Sequence, residues 1–369
     1  MTSFFSNLFK SSGGSFLGVD IGSSSIKIVQ LRKKGGKAVL ETYGELALGP
    51  YAGFEIGQAT ALSPEKTVEA LSDLMKEKEV NVTTNVCGVA IPFSSSLMSV
   101  IEMPLVSQKQ LSAMVPLEAR KYIPVPISEV TLDWSVIPKD DSSPEVPEED
   151  SSHTHIEKTD VLLVAIHNDT IARYQEIVRK TGLQSKFFEI EIFSCMRSVL
   201  ESTHDPVMLL DMGAATTKLY VIEHSVIRSS HTINRGSQEI TNIISKSLGI
   251  SVKEAEVLKR GVGAVSSEGT DIKEIVNLAL SGIFDEANRV ILNYQNKYNK
   301  AIKKVVLVGG GSSLKGLQPL AQEKFQIQVE AGNPFTKTEA PAFIEEILRN
   351  TGPEFAVSVG LALRGLQEN

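Results

Sequence analysis

Cysteine is nearly absent from this chain: Cys87 and Cys195 are the only two in 369 residues. Both stand among apolar neighbours and read as buried thiols, which fits a reducing compartment. No stretch approaches the roughly 18 uninterrupted apolar residues that a membrane span needs. An excess of positive charge is missing too. Lysine and arginine number 37 against 44 acidic residues, a net charge of −7, whereas a nucleic-acid binder needs a basic face to neutralise phosphates. The opening MTSFFSNLFKSSGG, with Phe4, Phe5, Leu8 and Phe9 at helix-like spacing, is too short and too polar for a signal peptide. It reads as a frayed tail rather than a membrane or partner contact. The expected setting is the cytoplasm.

A chain of this length should hold two or more domain-sized units. Strands are expected over 16–32 and 37–47, paired about a turn at 33–36, then a helix over 64–79 with Pro64 near its start. The stretch 85–103 alternates like a strand pair. Residues 107–122 carry a helical pattern interrupted by Pro116, with Ser107 and Gln110 spaced as a capping box. Two prolines in YIPVPISEV end it. Strands at 131–137 and 160–166 flank a segment rich in proline, serine and acid, 138–159, which reads as a solvated loop. His153 and His155 within it lack a third ligand at metal-site spacing.

A helix over 167–183 stops at Gly182. The alternation of FFEIEIF, 187–193, reads as a strand leading into a helix from 194. Helices are expected at 237–249, 252–260, 271–299, 315–324 and 353–366, with a short strand before the last. The plan of strands followed by helices occurs twice, which reads as mixed α/β in two lobes. In the segment between 93 and 166, Trp134 and Tyr122 read as core and Arg120 and Lys121 as complementing a helix end, with a binding groove as the alternative for all four.

Three glycine turns carry the chemistry. LGVDIGSSSIKIVQL (17–31) and LLDMGAATTKLYVI (209–222) share one punctuation: an apolar strand, Asp, Gly two places on, a small or hydroxyl triplet, and Lys seven places after the Asp. Gly22 permits a tight turn and close backbone approach. Successive N–H groups from Ser23, Ser24 and Ser25 can form an anion nest for phosphates, and Lys27 adds a point charge. Gly213, Ala214, Ala215, Thr216 and Thr217 take the same places in the second turn. Asp20 and Asp211 precede the two turns, and Mg2+ needs only one or two carboxylates beside phosphates. The third turn, Gly309, Gly310, Gly311 and Ser312 after the strand VVLV, lets backbone lie against a flat ring. Glu256 and Lys259 sit one helical turn apart, placed either to grip ribose and adenine or to form a surface ion pair.

These elements, in this order, resemble the actin-like ATPase superfamily, which includes actin, the DnaK chaperones, sugar kinases and FtsA. The resemblance implies an α/β, two-lobed actin-like ATPase fold with an FtsA-type subdomain inserted in the first lobe. It implies bound ATP with Mg2+ held at Asp20 and Asp211. Residues 190–200 match the first connecting helix and place Glu191 where the attacking water is positioned. Residues 355–365 resemble the second, where small Ala356, Ser358 and Gly360 let the lobes pack. Within the superfamily the chain is most similar to the PilM family of type IV pilus assembly proteins, through 17–31, VIEMP (100–104), 117–137 and the FAVSVGLALR ending.

That likeness implies a first lobe at 16–92 and a partner-binding insert at 93–166. The rest of the first lobe falls at 167–204 and 350–369, and a second lobe at 205–349 includes a subsidiary subdomain about 235–300. It implies that the groove near the insert grips the short cytoplasmic tail of the inner-membrane protein PilN and that assembly-motor components dock as well, so membrane contact is indirect. Self-association stays open. Ala214, Ala215 and Thr216 stand where glycines are common in the superfamily, so binding is expected with at most slow hydrolysis. Two other readings remain: an FtsA-like filament protein, which should extend into an amphipathic helix beyond GLQEN, and a small-molecule kinase, which needs a general base and an acceptor pocket.

Overall fold

The computed structural model describes residues 14–137, 157–201, 205–265 and 272–368. The Phe-rich tail, His153, His155 and most of the acidic loop lie outside the described residues. Two compact units emerge, one of Met1–Ala90 with Tyr174–Asn369 and one of Ile91–Arg173.

The larger unit holds two five-stranded sheets of matching design. In the first, the order is β3 (Lys37–Ala47), β2 (Ser25–Lys34), β1 (Ser15–Ile21), β4 (Val86–Ile91) and β8 (Gln184–Ile190). In the second, it is β11 (Val226–Ile233), β10 (Thr217–Glu223), β9 (Val207–Met212), β12 (Lys304–Val308) and β13 (Gln328–Ala331). In both, three antiparallel strands lead to a parallel neighbour: β1 to β4, and β9 to β12. Parallel pairing needs a covered crossover. Helix α1 (Pro64–Lys76), capped by Ser63 accepting from the Lys66 N–H, lies in the crossover of the first. Helices α5 (Ser237–Leu248), α6 (Val252–Val262) and α7 (Lys273–Tyr298) lie in that of the second.

The second sheet packs these helices and α8 (Leu317–Phe325) into one continuous apolar core. Across the first sheet lies the C-terminal helix α10 (Ala356–Glu368), which packs Val359, Ala362, Leu363 and Leu366 against Phe16, Val29 and Leu31. Close approach is built into the sequence: a Cβ at Gly18 would overlap the Ser358 carbonyl, and one at Gly365 would overlap the Phe16 ring.

The smaller unit is a three-stranded antiparallel sheet, β5 (Ser96–Pro104), β7 (Lys158–His167) and β6 (Val130–Val136), with α2 (Gln108–Ala119) on one face. The Ser107 N–H donates to Gln110 Oε1 at 3.1 Å, as the capping box requires, and α2 runs on through Pro116 to Ala119. Trp134 packs at the edge of that core, whereas Tyr122 is exposed. The remaining helices are α3 (Asn168–Lys180), α4 (Glu191–Val199) and α9 (Glu345–Thr351).

Two local expectations fail. The segments of 85–103 are both strands but not partners: β4 joins β1 and β5 joins β7, because local alternation specifies a face and not a neighbour. The strand expected over 187–193 ends at Ile190, and α4 begins at Glu191. Packing of Ile192, Cys195 and Ser198 into the interior at helical spacing overrides the alternation.

Candidate functional site: a cleft between two matched hairpins

The hairpins β1–β2 and β9–β10 turn in the same way. The Gly22 N–H donates to the Ser25 carbonyl at 3.0 Å, and the Gly213 N–H to the Thr216 carbonyl at 2.9 Å. Asp20 lies across from Lys27 in one ladder, and Asp211 across from Lys218 in the other. The carbonyls of both turns are taken from outside. Ser24 and Ser23 accept from the N–H groups of Leu48 and Thr60, each at 2.8 Å, while Gly213 and Ala214 accept from Ser237 and Gln238 at 2.9 and 3.0 Å. No described hydrogen bond uses the N–H of Ser23, Ser24, Ala214 or Ala215. Such idle donors, with turn carbonyls facing away, are what an anion site requires.

The cleft between them measures about 360 Å³. It brings together Asp20, Gly22, Ser23, Ser24, Ser25, Lys27, Glu191, Asp211, Gly213, Ala214, Thr216, Glu256, Lys259, Gly309, Gly310 and Gly311. Ala215, Thr217 and Ser312 do not line it. The Thr217 hydroxyl donates to the Arg235 carbonyl at 2.8 Å, and the Ser312 hydroxyl to the Gly309 carbonyl at 2.6 Å.

In the third turn, Gly309 has φ +82°, and a Cβ there would overlap Asp211 and Met212. Gly310 faces open space, with only Glu354 Oε2 near, at 3.7 Å from an added Cβ. The turn is a short 3-10 segment, and α8 starts at Leu317 rather than directly behind it.

Glu256 and Lys259 are not a surface pair. They are 6% and 7% exposed, joined at 2.7 Å. The start of α6 is set by the Ser251 N–H donating to Glu254 Oε2 at 2.9 Å. One helical turn on, Thr241 Oγ1 and Arg260 Nε both donate to Glu256 at 2.7 Å. Lys259 also donates to Thr241 Oγ1 at 2.9 Å and to the Ser237 carbonyl at 3.3 Å. All three of its protons are therefore engaged within the second lobe.

Several lining residues escaped the sequence reading: Glu45, Arg260, Asn350, Glu354 and Lys218. Lys218 had a signal, the repeated Asp-to-Lys spacing, but no role was assigned to it. Its ammonium lies 2.7 Å from Glu191 and 3.5 Å from Asp211. Lys27 turns elsewhere, to Glu45 at 3.0 Å and Ser25 Oγ at 2.6 Å.

The cleft perturbs its carboxyl groups. Burial, reinforced by the charges of Glu191 and Asp211, pushes Asp20 up to about 7, against the pull of Lys27 and Lys218. Asp211 is raised by burial as well. Burial and the neighbouring Glu45 carry Glu354 to about 7. Burial alone would lower Lys218, but Glu191 and Asp211 hold it firmly charged. Clustered perturbed groups in a cleft mark a functional site.

Residues 49–59 form a strap whose flanking N–H groups, at Leu48 and Thr60, are those tied to the first turn. Its far part reaches the second lobe: the Ala59 N–H donates to Gln238 Oε1 at 3.0 Å, and Gly57 lies against the Glu256 side chain. Behind the cleft, β8, α4 and α10 are tied to one another. Glu189 accepts a two-pronged pair from Arg197 at 2.7 and 2.8 Å, a third bond from Arg364 at 2.9 Å, and one from the Ser194 hydroxyl.

Donor chemistry fits a phosphate-bearing ligand with a flat ring: idle N–H groups at both turns, Lys27, and open backbone at Gly310. It fits a metal ion less well. Among the described residues no group of three or more His, Cys, Asp or Glu is arranged to hold one, and Lys218 stands between two of the carboxylates.

A profile of the family described as type IV pilus assembly protein PilM matches residues 18–366. Cell division protein FtsA of Pseudomonas aeruginosa is 26% identical over 217 residues, 53% of this chain and 51% of that protein, so the match spans about half the length of this relative. Among solved structures, a chain of a PilM-PilN type IV pilus biogenesis complex is similar with a TM-score of 0.78, 24% identity, and coverage of 95% of this chain and 98% of that one. MreB5 of Spiroplasma citri bound to AMPPNP follows at a TM-score of 0.52 and 13% identity, covering 96% and 97%. These likenesses show the actin-like fold expected from the sequence.

Proposed function

The chain belongs to the PilM family of type IV pilus assembly proteins, and we propose that it is the ATP-binding, actin-like scaffold of that machinery. In this reading it docks on the cytoplasmic tail of a PilN-like inner-membrane protein and links it to the assembly motor. The carrying observation is the cleft: two matched turns with idle N–H groups facing a backbone-lined wall, inside a chain matched by the family from 18 to 366. The likeness to a chain of a PilM-PilN complex supports the partner, and the likeness to an AMPPNP-bound fold supports the nucleotide.

The phosphates of ATP would be held by the N–H groups of Ser23, Ser24 and Ala214 with Lys27, and its ring system by 309–311. The sequence reading puts Mg2+ at Asp20 and Asp211, but Lys218, 3.5 Å from Asp211, fills that side of the cleft, so an ion travelling with the phosphates would meet the protein at Asp20. Glu191 would position water for hydrolysis, but it is already bound to Lys218 at 2.7 Å, so turnover is slow and binding dominates. A scaffold gated by nucleotide needs only differential affinity between its states, not fast chemistry. The compact unit Ile91–Arg173 would carry the partner surface. Among the described residues no helix is long and apolar enough to cross a membrane, and a place at the inner membrane would come through the partner.

The test is a pull-down from detergent-solubilised membranes with protein loaded with Mg-ATP, repeated on a synthetic copy of the captured tail. Recovery of one single-span pilus protein through that tail supports the reading. Recovery of division proteins moves the weight to an FtsA-like filament protein, and recovery of nothing to a soluble kinase. In parallel, Gly310→Val is expected to abolish nucleotide binding, and unchanged affinity would remove the site assignment.

A further inference from the structure

The two hairpins carry the same Asp-to-Lys spacing but use the lysine differently. Both lysines lie opposite their aspartate in the ladder. Lys27 bends toward Glu45 and Ser25. Lys218 bends back over its own hairpin, to Asp211 at 3.5 Å, and across to Glu191 in the first turn of α4 at 2.7 Å. Its side chain is 14% exposed, and those of Glu191 and Asp211 are 13% and 17%. The placement is therefore specific to the second turn.

We propose that Lys218 is a tethered cation: the protein itself supplies, between Asp211 and Glu191, positive charge that a nucleotide cleft would otherwise take from a divalent ion. The inference rests on the nucleotide reading above. Asp20, Asp211 and Glu191 bring three carboxyl groups to the cleft, and a triphosphate brings further negative charge. Mg2+ answers such charge only with a near-octahedral shell at about 2.1 Å, and it gives up water reluctantly. An ammonium bonded to Glu191 Oε1 and beside Asp211 Oδ2 takes the space between these carboxylates that such a shell would use. Of these three, only Asp20 is left for an ion. Nucleotide binding then depends only weakly on Mg2+.

A fluorescent ATP analogue titrated with Mg2+ or with EDTA reads this coupling directly, without hydrolysis. Wild-type affinity should change by less than about fivefold between the two conditions, the low end of ordinary site-to-site coupling. Lys218→Met should lose about tenfold or more in EDTA and recover most of it with Mg2+. Lys218→Arg, which keeps the charge, should follow the wild type. A wild type that loses about tenfold or more in EDTA overturns the inference, as does the same ratio in wild type and Lys218→Met. Should Lys218→Met fail to melt cooperatively, the wild-type ratio decides alone. Wild-type protein that binds nothing in either condition overturns the nucleotide reading, and this inference with it.

Discussion

Gly360 of α10 lies flat against the backbone of Ser194 in α4, where an added Cβ would overlap the Ser194 carbonyl. The two helices thus touch backbone to backbone, and the Ser198 hydroxyl donates to the Ala356 carbonyl across the same contact at 2.7 Å. Small residues at 356, 358 and 360 are the sequence expression of this contact.

Gly360→Ala should force the helices apart. Overpacking of this kind costs about 1–3 kcal/mol, more than the roughly 1 kcal/mol that alanine returns in helix propensity. A melting temperature lowered by a few degrees is expected. A melt that matches wild type would mean the helices separate freely.

Glu189→Gln removes the charge that Arg197 and Arg364 share. Glu189 is 8% exposed, while the two guanidinium side chains are 25% and 30% exposed. Breaking a fully buried pair costs roughly 3–5 kcal/mol, and solvent screening of the arginines should reduce this to about 2 kcal/mol. Urea unfolding at neutral pH measures it, and a midpoint equal to wild type would show that the arginines find other partners.

Glu354 should make stability fall as pH rises. Its folded-state value near 7 lies above the ordinary 4.5, so the folded state holds the proton more tightly than the unfolded one. That contribution is complete below 4.5 and is lost as pH climbs through 7. Glu354→Gln should therefore leave the melt nearly unchanged at pH 5 and stabilise at pH 8, by on the order of 1–3 kcal/mol. Equal shifts at both values would remove the assignment.

Gly310→Val places a branched side chain where the backbone borders open cleft. The ligand-free protein should melt as wild type does. The nucleotide-induced stabilisation, about 2.7 kcal/mol at a hundredfold excess over Kd, should disappear. A retained shift would move the ring-binding wall away from the third turn.

Much of this architecture could be read locally. Both hairpins were visible because Asp, Gly, hydroxyl residues and Lys recur at fixed offsets, and each offset corresponds to a ladder position. The starts of α1 and α2 were legible through Pro64, and through Ser107 with Gln110. The break between Ile190 and Glu191 was not, since FFEIEIF alternates as a strand would and only packing behind it winds the second half into α4. Glu45 and Glu354 gave no local sign. They reach the cleft because β3 is the third strand of its sheet and because Gly309 bonds to the Pro353 carbonyl at 2.9 Å. Ala215 and Thr217 fell inside the motif, yet strand alternation points Thr217 to the interior, where it is fully buried.

The strap 49–59 departs beside Ser24 of the first turn and returns beside Ser23. A loop closed over so short a span pays little for extra length, about 0.6 kcal/mol for each doubling. Its anchors at Leu48 and Thr60 are fixed by the turn, but its girth is not. Gly53, exposed at φ +76° with nothing within 4 Å of an added Cβ, is thus a natural splice point. A reporter peptide inserted there would ride on the nucleotide turn while leaving both lobes intact.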